Sequence, residues 1–326
     1  MGGLRGRLLS RRQLLLVLAL ACAQSNVFAS EQSRPLKVIV PTPPGSASDA
    51  LARALSAPWS ETSKRPVVVE NVVGAGTTIG VTRLVRSPSD GLTLGIISSN
   101  HTINPFLYKN LPYDAIKDIT PIAMIGNVPG MLVANKQLSA NNPTELAALA
   151  RAATEPLAEG VVSGTAYHLA GEVFKNQANI TSNRIPYKGS SQVLNDLLGG
   201  TLDFAIIAAQ LAAPQVAAGK LKGLAVTTPI RTEVAPDIPT LPESGLPDYR
   251  FDVWIAVVGP AGMSDESVTL RRNEIEHALR TPDMQATLRK QGIQPITMTP
   301  HEMTSFMEKE LQRNADVIKQ VGISAE

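Results

Sequence analysis

From Leu36 onward the chain alternates short apolar runs with stretches whose apolar residues recur every three or four positions, and small or turn-forming residues separate the two. The first unit sets the pattern: Leu36-Lys37-Val38-Ile39-Val40, a turn, then a helical pattern from Ser48 to Trp59 with Leu51, Leu55 and Trp59 four apart. Such units predict an α/β fold with mainly parallel sheets, because a strand returns parallel to its neighbour only through a crossover, usually a helix. Further strands are expected at 66–70, 92–98, 121–125, 131–134, 160–163, 184–186, 202–207, 221–227 and 254–258. A helix from Ser191 to Leu198 is closed by Gly199-Gly200, the usual stop signal. Thr299-Pro300-His301-Glu302 forms a capping box with proline at the first helical position, opening a helix to Gln320 that is expected to pack as an outer layer. No internal repeat is visible.

The start of the chain follows different rules. Arg5, Arg7, Arg11 and Arg12 precede an apolar run from Leu14 to Ala23, and Val27-Phe28-Ala29 stands before Ser30. This order predicts a signal peptide over residues 1–29, cleaved after Ala29, and export to the periplasm. The run is shorter than the roughly 20 residues a resident membrane helix needs. Ser10-Arg11-Arg12-Gln13-Leu14-Leu15 resembles a twin-arginine signal, so Sec and twin-arginine export are both open. Cys22 is the only cysteine and lies in this leader, which leaves the mature chain without a thiol.

Removing the four leader arginines from 30 basic residues leaves 26 against 28 acidic ones. A nearly neutral chain offers no field for nucleic acid or for an anionic membrane surface. The roughly 300 residues that remain exceed what one compact core holds, so two lobes are expected. The 4% aromatic share argues against a binder that stacks sugars on rings.

Two turns could carry chemistry. The segment after the first strand reads Pro41-Thr42-Pro43-Pro44-Gly45-Ser46-Ala47-Ser48-Asp49 and leads into a helix. Small residues there let a ligand approach the backbone, and the free N–H groups and dipole of a helix start attract an anion. Pro44, Gly45, Ser46, Ala47, Ser48 and Asp49 are the candidates; the plainer alternative is that Ser48 and Asp49 only cap the helix. Gly160-Val161-Val162-Ser163-Gly164-Thr165-Ala166-Tyr167-His168-Leu169 repeats the arrangement, with Ser163, Gly164, Thr165, Ala166, Tyr167 and His168 as candidates. One such turn per lobe would grip a carboxylate from both sides. Ser99 and Asn100, ending the strand Ile96-Ile97-Ser98, are further candidates, with turn capping as the alternative.

Other chemistries lack their residues. His168 reads as a support for its loop, and His101, His277 and His301 share no ligand spacing, so no metal is expected. Gly74-Ala75-Gly76-Thr77-Thr78-Ile79-Gly80 misses the dinucleotide fingerprint by one residue and reads as another helix start beside the cleft. Ser163-Gly164-Thr165 is not a nucleophile elbow, and no catalytic constellation is visible.

Several motifs in one order carry a resemblance. They are Val67-Val68-Val69-Glu70-Asn71 before Gly74-Ala75-Gly76, then Ser87-Pro88-Ser89-Asp90-Gly91-Leu92-Thr93-Leu94, then Asn104-Pro105-Phe106-Leu107-Tyr108-Lys109-Asn110-Leu111-Pro112-Tyr113-Asp114. His168-Leu169-Ala170-Gly171-Glu172, Pro186-Tyr187-Lys188-Gly189, and Ala218-Gly219-Lys220-Leu221 before Ala225-Val226-Thr227 follow. The chain resembles the receptor subunit of tripartite tricarboxylate transporters, the Bug-type extracytoplasmic solute receptors, over nearly the whole mature length.

The resemblance implies a type 2 periplasmic-binding-protein fold without cofactor or catalysis, in which lobe I comprises 30–129 plus 250–326 and lobe II comprises 130–249. It further implies a monomer that holds a small carboxylate between the loops Pro44 to Asp49 and Ser163 to His168. The chain would close about a hinge near 126–130 and 249–254 and pass the ligand to membrane permease subunits. Two departures stand out: Thr42 and Gly45-Ser46 replace a common aromatic and a glycine pair, and Ile207-Ala208-Ala209-Gln210 replaces an acidic and an amide residue. The second suggests an apolar distal pocket with Gln210 as its polar group, suited to a carboxylate with an apolar or aromatic body. A periplasmic sensor for a membrane signalling partner shares every one of these features, and a hydrolase on the same scaffold is the reading from another class.

Overall fold

The computed structural model describes residues 34–249, 251 and 253–321. The expected signal peptide with Cys22 lies outside them, as do the flanking residues 30–33, residues 322–326, and Arg250 and Asp252 in the second hinge stretch.

The first lobe starts with β1 (Leu36–Val40), α1 (Ala47–Ser63), β2 (Val67–Asn71), α2 (Thr78–Val85), β3 (Thr93–Ser98), α3 (Asn100–Leu107) and β4 (Ile119–Asn127). The chain then crosses into β5 (Gly130–Asn135), α4 (Pro143–Ala152), β6 (Ala158–Val162), α5 (Ala166–Ala178), β7 (Asn183–Tyr187), α6 (Ser190–Gly199), β8 (Phe204–Ala208), α7 (Ala209–Ala217) and β9 (Leu221–Val226). It returns through β10 (Trp254–Pro260), α8 (Asp265–Leu279), α9 (Pro282–Gln291), β11 (Gln294–Pro295) and α10 (Pro300–Val321).

Two sheets result, ordered β11-β4-β10-β3-β1-β2 and β7-β6-β8-β5-β9. Within each lobe the order is second, first, third, crossing strand, fourth, so the two halves share a topology that the sequence does not echo. Both lobes show the type 2 order, but the sheets are mixed rather than mainly parallel. The helix-connected strands β2-β1-β3 and β7-β6-β8 run parallel. By contrast β10 is antiparallel to β3 and β4, and β5 is antiparallel to β8 and β9. The reason is the crossover: β5 and β10 enter their sheets from the other lobe, not over a helix from a neighbour, and local periodicity does not encode strand direction.

At the crossing the two connections lie side by side. Asn127 pairs with Trp254, and the Val128 N–H donates to the Val253 carbonyl at 2.6 Å. Every residue of β10 is buried, as expected of a central strand covered on both faces. Tyr249 and Phe251, two residues apart on the return path, are buried too, and the Tyr249 hydroxyl donates to the Ala170 carbonyl at 3.2 Å.

Local signals set the helix ends with small differences from expectation. α1 runs four residues past Trp59, through Pro58, because Ser60 and Thr62 hydroxyls tie the last turn to the Arg65 and Pro58 carbonyls. α6 ends on Gly200 at φ 80°, the left-handed position glycine accepts without strain. The capping box of α10 forms, with the Glu302 N–H on the Thr299 hydroxyl at 3.2 Å and the Thr299 N–H on the Glu302 carboxylate at 2.7 Å. That helix is more than an outer layer: Asn314 donates to Thr102 at 3.1 Å on α3, and Gln320 donates to Asn176 at 3.0 Å on α5.

Each lobe encloses a buried ionic cluster. In the first, Glu274 accepts from the Trp59 indole at 3.0 Å and from Arg271 at 2.6 Å. In the second, Lys175 Nζ lies 2.6 Å from Glu159 and 2.7 Å from Glu172, with Arg184 3.4 Å from Glu172. Burial alone would raise the Glu172 pKa, but His168 and Lys175 outweigh it and bring the value down to about 2. A lowered pKa adds stability above the ordinary value of 4.5, and that stability is lost as pH falls toward 2. Urea midpoints should therefore fall more steeply over this range in the wild type than in Glu172→Gln; parallel curves would contradict the assignment. Trp59→Phe keeps the packing ring but takes a donor from Glu274, and should cost about 1–3 kcal/mol in urea unfolding. An unchanged midpoint would mean the indole bond contributes nothing.

Candidate functional site

β1 and β3 are neighbours in the first sheet, and β6 and β8 in the second, so the loops at their C-terminal ends lie together in each lobe. Open α/β sheets bind ligands at such ends.

In the first lobe Ser46 is the helix cap, with its hydroxyl accepting the Asp49 N–H at 3.2 Å and lying 2.7 Å from the Thr42 hydroxyl. The cap expected at Ser48 and Asp49 thus falls earlier, because the helix begins at Ala47. Asp49 holds the loop from behind. One carboxylate oxygen accepts the Gly45 N–H at 2.8 Å, the other accepts Asn71 Nδ2 at 2.9 Å, and Arg53 Nε reaches both at 3.0 and 3.1 Å. Burial would raise the Asp49 pKa; the Arg53, Gly45 and Asn71 hydrogen bonds overcome it, so the pKa is lowered and the carboxylate stays ionised. Gly45 sits at φ 82°, which places its N–H toward that carboxylate. Pro44 and Gly45 are exposed, Ala47 is half-buried and Ser48 is buried. Among the described residues the Ala47 and Ser48 N–H groups have no protein acceptor.

The second lobe repeats the device. Thr165 caps α5, donating to the Val162 carbonyl at 2.7 Å and accepting the His168 N–H at 3.4 Å. Gly164, at φ 72°, donates its N–H to His168 Nδ1 at 3.3 Å. An accepting Nδ1 puts the proton on Nε2, which faces Glu172 at 3.5 Å. His168 therefore supports the loop with its Nδ1 and turns its Nε2 toward the buried Lys175 cluster. Ser163 is exposed at the turn. The Tyr167 N–H has no protein acceptor among the described residues, and the Tyr167 ring lies where a Cβ on Gly130 would meet it at 3.1 Å.

The remaining candidates divide. Ser99 is turned away from the cleft: it is 1% exposed, and its N–H and hydroxyl engage the carbonyl and N–H of Trp254 at 3.1 and 2.8 Å. Asn100 crosses instead, accepting the Ala166 N–H of the other lobe at 3.0 Å. Gln210 is the second residue of α7, and its Oε1 is buried with no protein partner among the described residues. Ile207 and Ala209 are packed in the second lobe's core at 1% and 0% exposure, so they form no apolar pocket wall. The expected apolar distal pocket gets no wall from these two: β8 is buried along its whole length, and Ala209 opens α7 with its side chain packed inward.

Asn104, absent from the sequence candidates, does structural work beside the cleft loops. Its amide donates to the Gly76 carbonyl at 2.8 Å and the Thr77 hydroxyl at 3.1 Å, clamping a turn in which Ala75 and Thr77 take φ of 44° and 85°. Non-glycine residues there are strained and need such support. The Asn104-Pro105 pair was the available signal. His101 is buried against the Tyr113 ring, and burial pushes its pKa down to about 4. An open concavity of about 680 Å3 over α2, lined by Ile79, Thr82, Arg83 and Arg86 among others, includes none of these strand ends.

The chain is 32% identical to the protein BugT of Bordetella pertussis over 318 residues, which is 95% of this chain and 98% of that one. An R. palustris protein solved with adipate is 31% identical with a TM-score of 0.81, covering 90% of this chain and 99% of that one. MatC from Rhodopseudomonas palustris with bound malate is 27% identical with a TM-score of 0.77, covering 87% and 99%. Residues 51–323 match the family described as "Tripartite tricarboxylate transporter family receptor", and the chain belongs to that family.

Proposed function

We propose that this protein is a periplasmic solute-binding receptor that closes its lobes on a small carboxylate and delivers it to the membrane permease subunits of a tripartite tricarboxylate-type transporter. The observation that carries the reading is the pair of capped helix starts, one per lobe, with first-turn N–H groups that no atom of the described residues accepts: Ala47 and Ser48 in one, Tyr167 in the other. Charge-assisted hydrogen bonds from such donors contribute roughly 1.5–3 kcal/mol each. The adipate and malate held by the two R. palustris relatives are small carboxylates of the kind these donors suit.

The residues take different parts. Pro44 to Ser48 and Ser163 to Tyr167 form the two walls, Asp49 and His168 hold those walls in shape, and Gln210 meets the ligand's far end. Lobe I is 30–129 with 250–326 and lobe II is 130–249, a division supported by the two sheets. Closure turns about 126–130 and 249–254, and binding selects the closed state through its greater affinity for ligand. The chain acts as a monomer, is exported by its cleaved leader, and catalyses nothing, with the Ser46 and Thr165 hydroxyls serving as helix caps.

A thermal-shift screen of the mature protein against mono-, di- and tricarboxylates and aromatic acids tests this. A ligand at 100 times its dissociation constant should stabilise by about 2.7 kcal/mol, and the hits should fall among small aliphatic acids. Silence across the panel from folded, ligand-free protein would refute the pocket chemistry. Superimposable scattering profiles with and without a hit would refute the closure.

A further inference from the structure

Ser99 and Asn100 are consecutive but serve different partners. Ser99 is fastened to Trp254, the first residue of the return strand, by bonds of 2.8 and 3.1 Å. Asn100 begins α3, and its Oδ1 accepts the Ala166 N–H at 3.0 Å. Ala166 is the first residue of α5 and is 4% exposed. The bond therefore joins a residue anchored at the crossing of one lobe to the anion-facing helix start of the other.

We propose that Asn100 is a closure pin: it positions the second lobe by taking the first free N–H of α5, so that a closed state is available before ligand arrives and the ligand completes it. This rests on the receptor reading of the cleft. Closing brings Ala166 out of water, and its N–H then needs an acceptor that leaves the Tyr167 N–H free. An amide oxygen meets that need without placing a negative charge opposite the ligand's carboxylate. The same helix supplies an apolar seat for the contact, since a Cβ on Gly164 would lie 4.0 Å from Leu107 Cδ1 and Leu107 is itself buried. If the competent state is populated only in part, the apparent dissociation constant rises by the inverse of that fraction, so the pin acts on affinity without touching the ligand.

Two variants of the mature chain separate the possibilities. Asn100→Ala removes the acceptor; Asn100→Asp keeps it and adds a charge. The ligand-free proteins are compared by small-angle scattering and by exchange of the Ala166 amide. Asn100→Ala should have a larger radius of gyration than wild type and a faster-exchanging Ala166 amide at an unchanged melting temperature, and Asn100→Asp should restore both. With adipate and malate as probes, Asn100→Ala should bind about 5–10-fold more weakly, and Asn100→Asp more weakly still by repulsion. Identical ligand-free scattering and exchange in wild type and Asn100→Ala would overturn the pin, as would tighter binding by Asn100→Ala, which would mean that ligand displaces Asn100. If neither probe binds wild type, the receptor reading fails with those acids while the ligand-free comparison still judges the pin.

Discussion

The antiparallel insertion of β10 between β3 and β4 governs the rest of the molecule. A strand returning from the second lobe has to enter the first sheet somewhere, and entering next to β3 places the crossing beside the C-terminal end of the strand that leads to Ser99. The Ser99 hydroxyl on the Trp254 N–H fixes that neighbourhood, and the Val128 bond to Val253 fixes the two connections to each other. Since β5 enters the second sheet next to β8 in the same sense, the ends of β6 and β8 come to face those of β1 and β3. The opposition of two helix starts is thus a result of where the crossing strands insert. No residue of the loops has to specify it.

Electrostatics follow the same division between what faces the cleft and what stands behind it. Asp49 would be a poor neighbour for an anion, yet its charge is matched by Arg53 and spent on the Gly45 N–H and Asn71. The loop is therefore held by several bonds and locally near-neutral, and the Ala47 and Ser48 N–H groups keep their positive end of the dipole. In the second lobe the support is longer: Gly164 leans on His168, His168 faces Glu172, and Glu172 shares Lys175 with Glu159. Gly171 belongs to this arrangement, since a Cβ there would lie 2.8 Å from Glu159 Oε1. Buried pairs of this kind add little net stability against an apolar core of equal volume, but they hold one geometry. Here that geometry belongs to the turn Ser163 to Thr165.

Much of this was legible in the amino-acid order, and the failures share a cause. The strands other than β11, the two strand-to-helix loops and the α10 capping box follow from local periodicity and turn residues, because burial and capping are properties of a few neighbours. Strand direction in β5 and β10 is set by a crossing that no local window contains. The cap fell to Ser46 instead of Ser48 because two serines in one turn satisfy the same pattern, and only the Thr42 and Asp49 partners distinguish them. Ser99 and Asn100 looked equivalent as polar residues after a strand; a return strand 155 residues later claims one and the facing helix 66 residues later claims the other. Ile207 looked like a pocket wall because the sequence cannot say whether a strand is covered on one face or both, and Ala209 because it cannot say which side of a helix start packs inward.

The structural likeness of the halves sharpens the comparison between Asn100 and Gln210. Each is an amide in the first turn of the helix that follows the third strand of its lobe. Asn100 has its oxygen on a backbone N–H of the opposite lobe, whereas the Gln210 oxygen is buried without a donor among the described residues. A buried amide oxygen left alone costs free energy comparable to a lost hydrogen bond, so a position that keeps one is suited to a group brought from outside. The pseudo-equivalent pair thus divides the labour: the shorter side chain is committed to the facing lobe, and the longer one, with an extra methylene of reach, stays uncommitted. On the proposed closure, a ligand bridging the two helix starts would do for Gln210 on the second lobe what the Ala166 N–H does for Asn100 on the first, which is to give an amide of one lobe a partner from across the cleft.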